Sequence, residues 1–346
     1  MKRWLVLATI LTTLLVSPLA KAWPRETRDA AARGADRLLS IQNGDGSFPW
    51  YVSDPTAYQN VQGVTAIALV DAFKVSLTTA YLDAATANRN WLANYRANGP
   101  CQSPPFTPPC RLSASNIYFL AELALVTLNP ADFALARAAL DDRVTQFGTP
   151  AGIVTGIITA RLNQGHTNLG LWDSALFVRA AQDVGRTAQA DEMAAALATQ
   201  TIVDELDSSA NWYELGLAGV LLGLSEADWI TYKSETDGAA TALRAVQAED
   251  GSFPVTYGGI VYDGDVQATA YAVMGLAAVL DIDAAIRGAN ALASIQNLDG
   301  SFPLAFDGSG DEIGEVDAEA VSALVAATLA VPNGALAYAD EARSAL

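Results

Sequence analysis

The sequence predicts an all-α fold in which six helical hairpins of about 50 residues close into a double ring, an α6/α6 toroid. Three features predict it. The pentapeptide Asp-Gly-Ser-Phe-Pro recurs at 45–49, 250–254 and 299–303, each copy with a glutamine three residues before its aspartate: Gln42, Gln247 and Gln296. The last two glutamines stand about 49 residues apart, and the gap of about 205 before them divides into four steps of about 51, so the chain counts as six units. Two kinds of helical segment also alternate along it, one charged on a single face and one apolar nearly all round.

Residues 1–22 stand apart from this pattern. Lys2 and Arg3 precede an apolar run over 4–16, and the stretch ends in Ala20-Lys21-Ala22, the pattern of a cleaved secretory signal peptide. The run is shorter than the ~20 residues that cross a bilayer. A single domain over 23–346, without an integral membrane segment and located in the periplasm or the medium, is therefore expected.

The segments 28–42, 80–94, 131–146, 188–206, 237–247 and 284–296 carry charge along one face and are expected as the outer helices. Between them, 61–75, 116–128, 171–184, 212–224, 266–280 and 316–330 are dominated by Ala, Leu, Val and Gly, as helices enclosed by protein should be. Gln146 and Gln200 fall near two repeat positions without the pentapeptide, so units two to four have drifted. An extra helical stretch over 151–161 makes the third unit irregular, and 335–345 is expected to pack outside as a further segment. Closure is expected because an open array needs polar caps, and neither end offers one.

Half of the residues are hydrophobic (51%), enough for a large core. Without the signal segment 17 basic side chains face 38 acidic ones, a net charge of −21, which disfavours nucleic acid and anionic membrane surfaces as partners. The only cysteines, Cys101 and Cys110, flank a proline-rich stretch and are expected to pair in an oxidising compartment.

Gln-x-x-Asp-Gly-Ser-Phe at the end of an outer helix, followed by an inner helix beginning Gln267-Ala268-Thr269-Ala270-Tyr271-Ala272, resembles the repeat of the terpenoid cyclase and protein prenyltransferase toroid superfamily. By repeat count the resemblance covers most of the chain after the signal segment; by motif it is firm in the first unit and the last two. It implies architectural roles for Gln42, Phe48, Gln247, Phe253, Gln296 and Phe302. A prenyltransferase would need a zinc site of Asp, Cys and His, and this chain has one histidine, His166. The cyclase motif Asp-x-Asp-Asp-Thr-Ala falls on Glu315-Val316-Asp317-Ala318-Glu319-Ala320 with its middle Asp at Asp317, but its last Asp is replaced by Ala318. A terpenoid cyclase with a degenerate acid motif is thus one alternative.

The loops that enter the inner helices supply the candidate site. They bring Tyr58, Tyr118, His166, Trp172, Trp212, Tyr213, Tyr262 and Glu315 as ligand-binding residues, with Asp173, Glu214, Asp265 and Asp317 as candidate catalytic carboxylates. With parallel inner helices all of these gather at one mouth. Aromatic faces among carboxylates suit a small-molecule or oligosaccharide ligand, and a carboxylate pair can hydrolyse a glycosidic bond. A polysaccharide lyase would need cations, of which Arg111 and Arg161 are the nearest. Asp307, Asp311 and Glu312 offer oxygen ligands that could hold calcium, the one cofactor the sequence raises. No motif is intact enough to decide between a non-enzymatic binder and a secreted glycan-processing enzyme.

Overall fold

A computed structural model describes residues 25–101, 107–200 and 209–344; the signal segment expected over 1–22 lies outside the described residues. Thirteen helices and one hairpin make up the described chain. The inner ring consists of α2 (Gln59–Ser76), α4 (Ala114–Thr127), α7 (Thr167–Asp183), α9 (Tyr213–Asp228), α11 (Val266–Ala278) and α13 (Gly314–Ser344). Each packs on the next, and α13 packs on α2, so the ring is closed. Outside lie α1 (Arg25–Ile41), α3 (Thr79–Asn98), α5 (Pro130–Phe147), α8 (Thr187–Gln200), α10 (Lys233–Val246) and α12 (Ile282–Ile295), while the extra helix α6 (Pro150–Leu162) packs on α7 and α8.

The repeated motif builds the same joint three times. The carboxylate of Asp45 accepts from the Ser47 amide at 3.0 Å and its hydroxyl at 2.6 Å, which fixes the turn, and Asp250 and Asp299 do the same for Ser252 and Ser301. Gln42 Nε2 donates to Gly46 O at 3.0 Å and to Ala84 O of α3 at 2.9 Å; Gln247 reaches Ala284 O of α12 at 3.0 Å. Gln296 repeats the bond to Ala30 O of α1 at 2.9 Å, so the sixth unit docks on the first as the others dock on their successors. Phe48, Phe253 and Phe302 are fully buried behind the turns. In the sixth-unit turn Gly300 has φ +91°, and a Cβ there would overlap the Arg33 carbonyl of α1, so only glycine fits.

The inner helices are rich in small residues because they approach closely: a Cβ at Gly63 of α2 would collide with the backbone of Ser115 and Asn116 in α4. The Gly63 amide instead donates to Asn116 Oδ1 at 2.6 Å. Cys101 and Cys110 form the expected disulfide, closing a short loop behind α3.

Two features depart from the sequence reading. The stretch expected as a separate segment over 335–345 continues α13 without a break to Ser344. A β-hairpin, β1 (Phe253–Tyr257) with β2 (Ile260–Asp265), precedes α11 and turns at Gly258 and Gly259, both with positive φ.

Candidate functional site

Residues three and four apart share a helix face, so each inner helix presents one stripe to the lumen. On α13 it is Glu315, Glu319, Ser322, Ala326 and Leu329; on α7 it is Trp172, Leu176 and Arg179. From Tyr118, Trp172, Tyr271 and Glu319 toward the C-terminal helix ends, residues of all six inner helices line a cavity of about 360 Å³. Leu280, 38% exposed, lines its outer end.

The N-terminal mouth is a different environment. Asp173, Glu214, Asp265 and Glu315 do not line the cavity; they cluster above it. Glu315 is pushed up to about 7 by burial and by the nearby charge of Asp173. Burial also raises Asp173, opposed by Arg161 of α6, whose guanidinium donates to its carboxylate at 2.9 Å. Glu214, 3% exposed, is pushed up to about 7 by burial, with Asp265 adding like charge. Asp265 caps α11 by accepting from Ala268 N at 2.7 Å, and burial still holds it at about 6.

Aromatic rings line the same mouth. His166, Trp212 and Tyr257 form a row with centroids 4.9 and 5.1 Å apart, and its outer end, Tyr257, is half-exposed. Trp50 packs on Tyr51 at 5.6 Å and on Tyr58 at 5.7 Å in the first-unit loop. Trp172 and Tyr271 meet edge to face at 4.5 Å, packed with Trp212, Leu215 and Met274 where the mouth gives way to the cavity. The Tyr271 hydroxyl bonds Glu319, which also accepts from Gln267 Nε2 at 2.8 Å.

Not every predicted residue joins this group. Tyr262 is exposed on β2, and Tyr213 is buried beside the mouth with its phenol raised by burial. Tyr118 lies a turn deeper than expected, beneath the Arg179 guanidinium at 4.7 Å and donating to Glu122 at 3.2 Å. Asp317 is fully buried and absent from the cavity wall: Oδ1 accepts from the Phe302 amide at 2.6 Å, where Gln62 and Thr269 receive Phe48 and Phe253. Burial raises its pKa well above the usual carboxylate range.

The side chains of the loop expected to hold calcium make contacts within the protein. Asp307 is turned onto Ser309, accepting from its amide at 2.9 Å, while Glu312 makes a two-pronged pair with Arg37 at 2.7 Å for each bond. Among the described residues no three Asp, Glu, His or Cys side chains converge to hold a metal ion.

No protein-family model and no curated protein matches this chain. Solved structures do. The GH76A alpha-1,6-mannanase of Salegentibacter sp. HEL1_6 superposes with a TM-score of 0.63 over 88% of this chain and 99% of its own, at 11% identity. An inactive variant of that enzyme has been solved with alpha-1,6-mannotriose. Cellobiose 2-epimerase from Spirochaeta thermophila DSM 6192 gives 0.62 over 91% and 100%, at 14% identity. A type II terpene cyclase from Scytonema gives 0.56 over 88% and 98%, at 15% identity.

The chain has the α/α-toroid fold. At these identities the likeness shows the fold alone. Several residues of the toroid's lumen escaped the sequence reading: Lys74, Glu122, Arg179, Glu226 and Glu319 are charges within helices dominated by small and apolar residues. That contrast was the signal, and the stripe spacing places all but Glu122 on the cavity wall.

Proposed function

We propose that the toroid binds a neutral oligosaccharide at the N-terminal mouth of its inner ring and that the carboxylates there hydrolyse it. The observation that carries this reading is the meeting, at one mouth, of an aromatic row open to solvent with two carboxylates, the buried Glu214 and the half-buried Glu315, that keep their protons near neutral pH. Sugar rings stack on aromatic faces, and a carboxylic acid that is still protonated near pH 7 can serve as a general acid. In this reading Glu315 protonates the glycosidic oxygen as the C–O bond breaks. Asp173, oriented by Arg161, takes a proton from the water that adds to the anomeric carbon. The mannanase and the epimerase support it as sugar-handling proteins of the same fold.

The cyclase reading has one observation behind it, a buried acid at Asp317, but that carboxyl is engaged by Phe302 and stands off the cavity.

The test is a thermal-shift screen of residues 23–346 against neutral oligosaccharides, with reducing ends measured for every hit. Trp212→Ala should abolish the shift, whereas Glu315→Gln should keep the shift and lose the product. A hit that yields no product would leave a carbohydrate carrier. No shift with any neutral oligosaccharide would sink the reading.

A further inference from the structure

The aromatic rings of the mouth fall into two groups on opposite sides of the ring of helices. Around that ring the inner helices follow one another as α2, α4, α7, α9, α11 and α13. Trp50 and Tyr51 lie in the loop that enters α2, and this loop is stitched to the start of α13. Gly314 N donates to Trp50 O at 2.9 Å and Tyr51 pairs with Ile313, so Glu315 follows directly on the joint. The second group, His166, Trp212 and Tyr257, belongs to the loops that enter α7, α9 and α11, across the ring from the first. Trp212 has φ +55°, a left-handed backbone that is strained in a residue with so large a side chain. Its amide donates to Thr256 O at 3.0 Å and its carbonyl accepts from Gly216 N at 3.1 Å, so both sides of the strained residue are held. Each group ends in an exposed ring, Tyr51 at 41% and Tyr257 at 49%.

We infer, granting the hydrolysis proposed above, that the two groups are binding platforms on either side of the bond that is cut, so that the substrate is the interior of a neutral chain of several sugar units and not its end. Three steps lead there. Packed helices lie about 8–10 Å apart, which sets opposite members of a six-helix ring about 16–20 Å apart. One sugar ring is too short to touch both platforms. In the order around the ring, α13 and α7 stand on opposite sides of a line from the start of α2 to the start of α9. A chain lying on both platforms therefore passes between Glu315 of α13 and Asp173 of α7. Its scissile bond then has sugar units on both sides. As Glu315 gives its proton to the glycosidic oxygen the C–O bond breaks, and the water deprotonated by Asp173 adds its oxygen to the anomeric carbon, leaving one product on each platform. Finally, because each platform ends in an exposed ring, the chain can run on into solvent at either end, whereas a site for chain ends is walled on one side.

The experiment offers residues 23–346 four linear neutral polymers, an α-1,6-mannan, a β-1,4-mannan, a β-1,4-xylan and a mixed-linkage β-glucan, each with its three-unit and six-unit oligosaccharides. For the one hydrolysed, a six-unit chain blocked at both ends follows, reduced to the alditol at one and methylated at the other. The blocked chain should be cut at interior bonds. Because remote contacts raise kcat/KM, that constant should rise at least about tenfold from the three-unit to the six-unit chain. Trp50→Ala should bring this ratio down to about one. Should that variant fail to fold, Tyr51→Ala, at an exposed ring, decides, with the ratio expected to fall at least about threefold. A blocked chain that stays intact while the free chain is trimmed from one end would overturn the inference and leave the hydrolase reading standing. A length ratio that the variants do not move would do the same. Hydrolysis of none of the four would overturn both readings together, so the two failures are told apart.

Discussion

At Glu214 the chain buries a carboxyl whose Oε2 finds no hydrogen-bond partner among the described residues and whose neighbour, Asp265, is another acid. Its pKa of about 7 in the folded state exceeds the value of 4.5 of an exposed glutamate. A raised acid stabilises the fold relative to its ionised form only while the proton is held. That contribution is complete below about 4.5 and is lost as pH climbs to about 7. Glu214→Gln keeps the shape without the proton. It should match the parent in urea denaturation at pH 5 and exceed it by up to about 3 kcal/mol at pH 8; an equal difference at both values would refute the burial argument. Glu315 titrates in the same region, so if it is the general acid, turnover should fall as pH rises through about 7. Neither behaviour was legible in the sequence. Glu214 there is an acid in the first turn of a helix, a common surface placement, and its burial follows only from the packing of α9 within the ring.

The helical hairpins, by contrast, were largely legible, because their joints are local. Gln, Asp, Gly and Ser of one turn bond each other, Gln also reaches the next outer helix, and the Phe amide bonds the inner helix that follows the turn. Gly300→Ala should therefore cost about 2–4 kcal/mol, since it combines a positive φ with overlap of the Arg33 carbonyl. Gly44→Ala, in the first-unit turn but with nothing near its Cβ position, should stay within about 0.5 kcal/mol in the same denaturation assay. The disulfide is local as well, and replacing both cysteines by serine should remove about 2–3 kcal/mol, read as a lowered melting temperature. The hairpin β1–β2 was not anticipated, although Val255-Thr256-Tyr257-Gly258-Gly259-Ile260-Val261-Tyr262 holds two β-prone runs around a Gly-Gly turn. A helical period on both sides hid it. In the acidic loop at 307–312 the oxygen spacing is local, whereas the pairing of Glu312 with Arg37 is distant in sequence and could not be read from it.

Closure is a property of the whole ring, and the sequence signalled it only through missing caps. Its physical basis is a seam between the two ends of the chain. There Gln296 bonds Ala30 O at 2.9 Å, Thr27 Oγ1 donates to Asn290 at 3.3 Å, and Arg37 grips Glu312 beside the buried Asp317. If the ring is one cooperative body, damage to α1 must be felt in α12 and α13, which an open array would isolate because each of its units answers only to its neighbours. Arg37→Met tests this, since it keeps most of the packing and leaves Glu312 without its counter-charge. The pair is about one-quarter exposed, so the expected loss at pH 7 is about 1–2 kcal/mol, below that of a fully buried pair. Amide exchange supplies the decisive readout: faster exchange in α12 and α13 together with α1 means that the seam holds both ends of the chain, whereas acceleration confined to α1 would mean that the ring is closed in shape but not in energy.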